Sequence, residues 1–403
     1  MPYFVAGLVD DVRTLIARSP EAHRRGGIDL RLGEAVREID VVNQRVVVER
    51  SQGQVYTEPY DQLVIATGAR PRTLALPGRD AAGVFTLTTI PDALTIRAWI
   101  EHERPQHAVV VGGGYIGLEA TESLVVRGIP TTLIEQAPQI MSTLDPEMAH
   151  LVADAIEQSG VELRLQTHIT QLHVQEGRIQ GVSVGDEMLP ADLLIFAPGI
   201  EPNSDLAREA GIALGVANAI HVDETLHTSA PNVWAAGDCA ETFHLVTRRP
   251  AWIPLGTTAN KQGRICGQNV AGDAYRFPGV VGTAITKFLD LEIARTGLNE
   301  REAQQAGITY ATATIRSTTR SGYYPGSAPI TVKLLAERGS GRLLGGQIVG
   351  GVGAGKRIDT LAVALHAGLD VEAFQWFDLA YAPPFSPVWD PVLIAARQLA
   401  RTI

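Results

Sequence analysis

Apolar residues in this chain fall into two kinds of run. Some are short and unbroken, as in Val109-Val110-Val111, Leu63-Val64-Ile65 and Leu193-Leu194-Ile195-Phe196, and each closes on a glycine-bearing turn. Others alternate with polar residues, as in Arg45 to Tyr56 around Gly53 and Ile169 to Val184 around Gly177. Unbroken runs of this length predict strands buried on both faces, and the alternating ones predict hairpins with one wet face. After Val111 the period lengthens. Leu118 to Arg127 carries a helical pattern, Gly128 stops it, and Thr131 to Glu135 reads as a new strand. From about Thr283 the character changes: strands are expected at Ala311 to Arg316, Ile330 to Leu335 and Leu343 to Val349, then helices at Ile358 to Ala367 and Val371 to Phe377. That ordering suggests an α+β domain, with His366 packed on an apolar helix face.

The junction after Val111 carries chemistry. Gly112-Gly113-Gly114-Tyr115-Ile116-Gly117 fits G-x-G-x-x-G, and it lies between a strand and a helix as a βαβ dinucleotide site requires. Gly112 permits the tight turn, Gly114 lets backbone approach a pyrophosphate, and Gly117 lets helix and strand pack closely. Free N–H groups at the helix N-terminus then favour the anion. Among 40 glycines a lone match is weak, but strand, helix, second strand and terminal acid together are specific. Glu135 stands 18 residues beyond Gly117, near the roughly 20 expected for an acid on the ribose hydroxyls. Its carboxylate repels a 2′-phosphate, and no arginine or lysine occurs between Gly128 and Arg164. NADH is therefore expected over NADPH.

Composition narrows the rest. A formal charge of −10 argues against nucleic acid or anionic membrane as partner, and no apolar run approaches the ~18 residues that span a bilayer. The two cysteines, Cys239 and Cys266, have neither C-x-x-C nor zinc spacing, so no metal is expected and a reducing cytoplasm fits best. Both read as small buried thiols.

Two segments repeat. Asp61-Gln62-Leu63-Val64-Ile65-Ala66-Thr67-Gly68 resembles Asp192-Leu193-Leu194-Ile195-Phe196-Ala197-Pro198-Gly199, and each follows one of the hairpins. The second copy has its glycine fingerprint 80 residues earlier. The same offset puts the first fingerprint about 19 residues before Met1, so the expectation is that the sequence starts inside its own first module.

These segments, with Val233-Trp234-Ala235-Ala236-Gly237-Asp238-Cys239, Ala259-Asn260-Lys261-Gln262-Gly263-Arg264 and Tyr381-Ala382-Pro383-Pro384-Phe385-Ser386-Pro387-Val388-Trp389-Asp390, resemble the pyridine nucleotide–disulfide oxidoreductases. The likeness is greatest to the branch containing CoA-disulfide reductase, NADH oxidase and NADH peroxidase, and it covers nearly the whole chain. It implies an α/β fold with two Rossmann-like domains. A discontinuous FAD domain (residues 1–90 and 221–279), incomplete at its N-terminus, would have an NAD domain (91–220) inserted, and an α+β dimerisation domain (283–403) would follow. Met1-Pro2-Tyr3-Phe4 matches the end of the branch's Cys-Gly-x-Pro-Tyr segment, so the redox cysteine's place falls just upstream.

The resemblance also implies site residues. Asp238, after Gly237, would meet a flavin ribityl hydroxyl, and Thr258 and Ala259 would aim N–H groups at the flavin pyrimidine edge. Ala66, Thr67 and Gly68, like Gly199, would let a dinucleotide pass close. Val36 would offer backbone to the adenine, or be an ordinary buried strand valine. Tyr115 would cover the nicotinamide pocket and Glu119 would approach the flavin–nicotinamide junction. No histidine occupies the C-terminal stretch where dithiol enzymes place one. Tyr381, and Tyr323 or Tyr324, match tyrosines set near a bound thiol, unless they are buried structural tyrosines. The expected activity is hydride transfer from NADH to FAD and on to a small-molecule CoA disulfide, persulfide, peroxide or oxygen, by a homodimer. Alternatives are a ferredoxin-reductase-type flavoprotein and a truncated, non-enzymatic NADH-binding remnant.

Overall fold

The computed structural model describes residues 1–72 and 75–403, and these separate into two compact units. One unit contains Met1–Asp10, Pro71–Gly199 and Val281–Ile403, and the other contains Asp11–Arg70 and Ile200–Val280. Among the described residues no helix is long and apolar enough to cross a membrane.

The first unit is built on two sheets. Five parallel strands lie in the order Val84–Thr86, Leu193–Phe196, Ala108–Val111, Thr131–Ile134, Glu162–Arg164. The central pair is buried almost throughout, which is why those runs are unbroken in sequence. The helix Tyr115–Val126 follows the third of these strands and buries Leu118, Ala120 and Leu124. A three-stranded antiparallel sheet of Gln171–Gln175, Arg178–Val184 and Glu187–Pro190 stands beside it, turning at Gly177 with φ of 76°.

The C-terminal sheet is antiparallel, in the order Ala284–Phe288, Leu291–Gly297, Leu343–Gly350, Pro329–Glu337, Tyr310–Thr318. Leu343–Gly350 is buried at every position. Helices Ile358–His366 and Pro391–Ala400 accompany this sheet, the second burying Val392, Leu393 and Leu399. Each such side chain contributes about 1.5–3 kcal/mol when fully buried. The first two strands and the last helix escaped the sequence reading, and His366 is exposed rather than packed, at the outer end of its helix.

A buried ion cluster joins the C-terminal sheet to the start of helix Pro146–Gln158. Lys333, 1% exposed, pairs with Asp145 at 2.9 Å and with Glu147 and Glu300. Asp145 also exchanges two hydrogen bonds with Gln347, at 2.7 and 2.6 Å. Met1–Asp10 belongs here because charged side chains grip its carbonyls. Arg127 Nε donates to Val5 O at 2.9 Å, Ser123 Oγ to Pro2 O at 2.9 Å, and Arg97 lies 4.5 Å over the Phe4 ring.

The second unit holds an antiparallel sheet of Glu34–Asp40, Arg45–Arg50 and Val55–Pro59, and a parallel pair of Leu63–Ile65 with Val233–Ala235. Val84–Thr86 pairs with Leu193–Phe196, and Ile200–Pro202 pairs with Ala69–Pro71. Three-residue strands take their partners from long-range pairing, which local periodicity does not encode.

Candidate functional site

Steric fit explains the glycine fingerprint. Gly112 has φ of 104°, and a Cβ there would lie 2.3 Å from the Ala197 carbonyl oxygen. A Cβ on Gly117 would lie 1.7 Å from the Gly112 oxygen, so the helix can approach the strand only as glycine. Gly114 differs: its Cβ would meet nothing within 4 Å. It is the N-cap of Tyr115–Val126, so no side chain caps the first-turn N–H groups, that of Ile116 among them. That is a cradle for an anion.

Glu135 ends the adjacent strand and reaches back to this loop. One carboxylate oxygen accepts from Gly113 N at 2.6 Å, the other from Ala137 N at 2.8 Å. The acid therefore fixes the loop and still has lone pairs for a ligand hydroxyl.

Tyr115 is half-buried at the start of the helix. Burial raises its phenol pKa, opposed by the Thr143 hydroxyl and the Arg295 guanidinium. Glu119, one turn on, accepts from Thr286 Oγ1 at 2.9 Å, and burial raises its pKa above the usual carboxylate value. Glu122 is buried and takes Lys287 Nζ at 2.6 Å. Arg295, Thr143, Lys287 and Glu122 were missed in sequence. Each is an isolated polar residue in a strand, loop or helix, and no local motif marks it.

The second unit carries the other glycine turns. Ile65 leads into exposed Ala66 and Thr67, then Gly68 with φ of 69° and open space where a Cβ would stand. Asn203 braces this turn, donating to Thr67 O at 2.8 Å and to Gly68 O at 2.9 Å. The parallel strand Val233–Ala235 leads to Gly237, φ 85°, and Asp238. Asp238 Oδ1 is buried with no hydrogen-bond partner, and burial alone raises the pKa of its carboxyl. Native proteins rarely leave a buried carboxylate oxygen unsatisfied, so a ligand hydroxyl fits there.

Thr258 and Ala259 stand at the start of helix Gly256–Val270, but their N–H groups both donate to Leu255 O at 2.9 Å. The expected flavin-facing donors are therefore engaged, and Gly256 and Thr257 supply the first free positions of that turn. Val36 is 39% exposed beside a β-bulge, so it is no buried strand valine. Cys239 is buried against Ile65 O, and Cys266 is buried with its thiol pushed up to about 11 by burial; neither is a ready nucleophile.

Tyr381 and Tyr323 are 46% and 79% exposed. Their loops lie together: Ser321 N donates to Pro383 O at 3.2 Å, and Arg357 Nη2 donates to Thr319 O at 2.8 Å and Phe385 O at 2.9 Å. Phe385, Val388 and Trp389 are exposed on the same stretch.

The sequence pattern of the family described as pyridine nucleotide-disulphide oxidoreductase matches residues 6–263, and that of its dimerisation domain matches residues 283–391. The chain belongs to this family. A relative from Pyrococcus horikoshii, described as NAD(P)H coenzyme A polysulfide/persulfide reductase, is 41% identical over 401 residues, 99% of this chain and 88% of the relative. Among solved structures, the NAD-dependent persulfide reductase from A. fulgidus superposes with a TM-score of 0.95 at 39% identity, over 100% of this chain and 75% of that one. An FAD-dependent pyridine nucleotide-disulphide oxidoreductase from Desulfovibrio vulgaris gives 0.79 at 30% identity, over 92% and 89%. The family accounts for the fold class, with the dimerisation domain corresponding to the C-terminal antiparallel sheet.

Proposed function

We propose that this oxidoreductase takes hydride from NADH to FAD and delivers the electrons to a sulfur acceptor carried on coenzyme A, a persulfide or disulfide. It works as a homodimer, as the dimerisation domain suggests. The observation that carries the reading is the preorganised loop at Gly112–Gly117, with Gly114 open and Glu135 bound to Gly113 N. Its N–H groups hold the NADH pyrophosphate. Glu135 accepts from the adenosine ribose hydroxyls and repels a 2′-phosphate, which favours NADH over NADPH.

Tyr115 covers the nicotinamide position, and Glu119, its pKa raised by burial, orients the carboxamide end. Asp238 accepts from a ribityl hydroxyl, a charge-assisted bond that satisfies its orphan oxygen. Bound FAD supplies the hydride acceptor and relays electrons onward. Tyr381 and Tyr323, exposed on neighbouring loops, donate a proton to the departing thiolate. The Tyr381 to Asp390 segment and the dimerisation domain argue against a ferredoxin-reductase-type enzyme.

The test is NADH oxidation by the FAD-reconstituted protein with CoA persulfide, CoA disulfide, hydrogen peroxide and oxygen in parallel. The reading expects bleaching of the visible flavin bands by NADH and the highest kcat/KM with a CoA-linked sulfur. Flavin that NADH does not bleach overturns it, and a preference for oxygen or peroxide reassigns the acceptor.

A further inference from the structure

The backbone of the turn Ala236 to Ala240 is pinned from several sides. Ala236 N donates to Ile65 O at 3.1 Å, Ala240 N to Gly237 O at 3.0 Å, and Ile220 N to Cys239 O at 2.8 Å. Two side chains complete the set. Gly237 N donates to Gln262 Oε1 at 2.9 Å, and Trp252 Nε1 donates to Asp238 O at 2.8 Å. In the midst of this, Asp238 Oδ1 is buried without a partner. An unsatisfied buried acceptor is costly, and a turn free to move would shift until that oxygen met water or an N–H group. Something must hold it in place.

Gln262 has no freedom of its own. It is 0% exposed in helix Gly256–Val270, and its Nε2 donates to Glu241 O at 3.2 Å. Glu241 is fixed in turn: Val216 N donates to its Oε2 at 3.0 Å, and His221 pairs with its other oxygen. An amide that takes an N–H at one end and gives one to a carbonyl at the other cannot flip without losing both bonds.

We propose that Gln262 and Trp252 are positioning residues for the flavin site: they hold the Gly237–Asp238 backbone in the pose that keeps Asp238 Oδ1 unpaired and ready for a ribityl hydroxyl. This rests on reading Asp238 as the acceptor for that hydroxyl. Each acts through the backbone of the turn and is assigned no contact with the cofactor. Binding then draws on an arrangement prepared in the ligand-free chain, so little ordering is left for the flavin to bring about.

The experiment measures FAD binding by fluorescence titration, and thermal midpoints of the ligand-free chain. It compares wild type, Gln262→Met, Trp252→Phe, Asp238→Ala and the two double variants that carry Asp238→Ala. Gln262→Met removes both bonds at similar volume. Trp252→Phe removes the indole donor at a half-buried position, so it keeps the test alive should Gln262→Met fail to fold. Either single variant should weaken FAD about five- to tenfold, the factor one hydrogen bond supplies. With Asp238→Ala no carboxylate is left to aim, and the same changes should cost less than about twofold. In the ligand-free chain Asp238→Ala should raise the thermal midpoint, and by less once either residue is replaced, because a loosened turn has already relieved the oxygen.

A merely structural role would cost the same factor in both backgrounds. Equal losses of FAD affinity with and without the Asp238 carboxylate, or unchanged affinity in both single variants, overturn the inference. Wild-type protein that takes up no FAD overturns the flavin reading, while the ligand-free comparison still shows whether Gln262 and Trp252 hold Asp238, so the two failures are distinguishable.

Discussion

Two glycine turns each follow a short parallel strand, and they are unlike in what they leave undone. At Gly112–Gly117 the polar side chain is already engaged: Glu135 has backbone partners on both oxygens, and Gly112 and Gly117 are packed against carbonyls. At Gly237–Asp238 the acid has a buried oxygen with no partner, and Gly68 faces open space. One crevice is organised by the chain alone. The other keeps an unmet demand that a ligand hydroxyl can answer. The first should therefore break through sterics and the second through electrostatics.

The largest effect is expected from Gly117→Ala. Its Cβ would collide with the Gly112 oxygen, so the helix must move, at a cost of about 3 kcal/mol or more. A lowered thermal midpoint and lost NADH binding in calorimetry would show it, and a stable variant that still binds NADH would erase the steric half of the contrast. Asp238→Asn should weaken FAD roughly ten- to a hundredfold, as loss of a charged hydrogen-bond partner does, measured by flavin titration.

The same variant should stabilise the ligand-free chain. Burial raises the folded-state pKa of Asp238 above its usual value of 3.8, so the ionised carboxyl destabilises the native state. That penalty is complete above the folded pKa and absent below 3.8, where both states are protonated. The melting-temperature gain of Asp238→Asn should thus be largest at neutral pH and shrink on acidification; a gain that grows as pH falls would contradict it.

Gly114→Ala is the finer probe of the first crevice. Stability should change by less than ~0.5 kcal/mol, because the Cβ meets nothing, while NADH weakens about tenfold where the ligand approaches the backbone. Equal losses of both would mean Gly114 is structural. Smallest is Glu135→Gln, which removes the repulsive charge while its single amide oxygen keeps one of the two loop bonds. The ratio of NADPH to NADH kcat/KM should rise about fivefold, roughly 1 kcal/mol of released repulsion.

What the sequence made legible follows the same divide. The strand–turn–helix at Val109 to Arg127 was readable because each glycine does a local steric job. Asp238 was found only because a family motif surrounds it, since Gly-Asp by itself is a turn. Arg295 and Thr143 were illegible. They are 152 residues apart in sequence, joined by one bond that no period or spacing announces. That the N–H groups of Thr258 and Ala259 both donate to Leu255 O was illegible too, because the opening turn of a helix depends on backbone geometry rather than residue type.

Lys333 carries a consequence for any exchange of segments. A lysine in the interior of the C-terminal sheet, answered by Asp145 and Glu147 at the start of helix Pro146–Gln158, ties the two parts of the chain together. A chimera that exchanged residues 283–403 for those of a relative with an apolar residue in place of Lys333 would strand the buried Asp145 without its cation, and refolding would falter before any chemistry was tried. Exchanging one of the two without the other therefore requires replacing both halves of this cluster together.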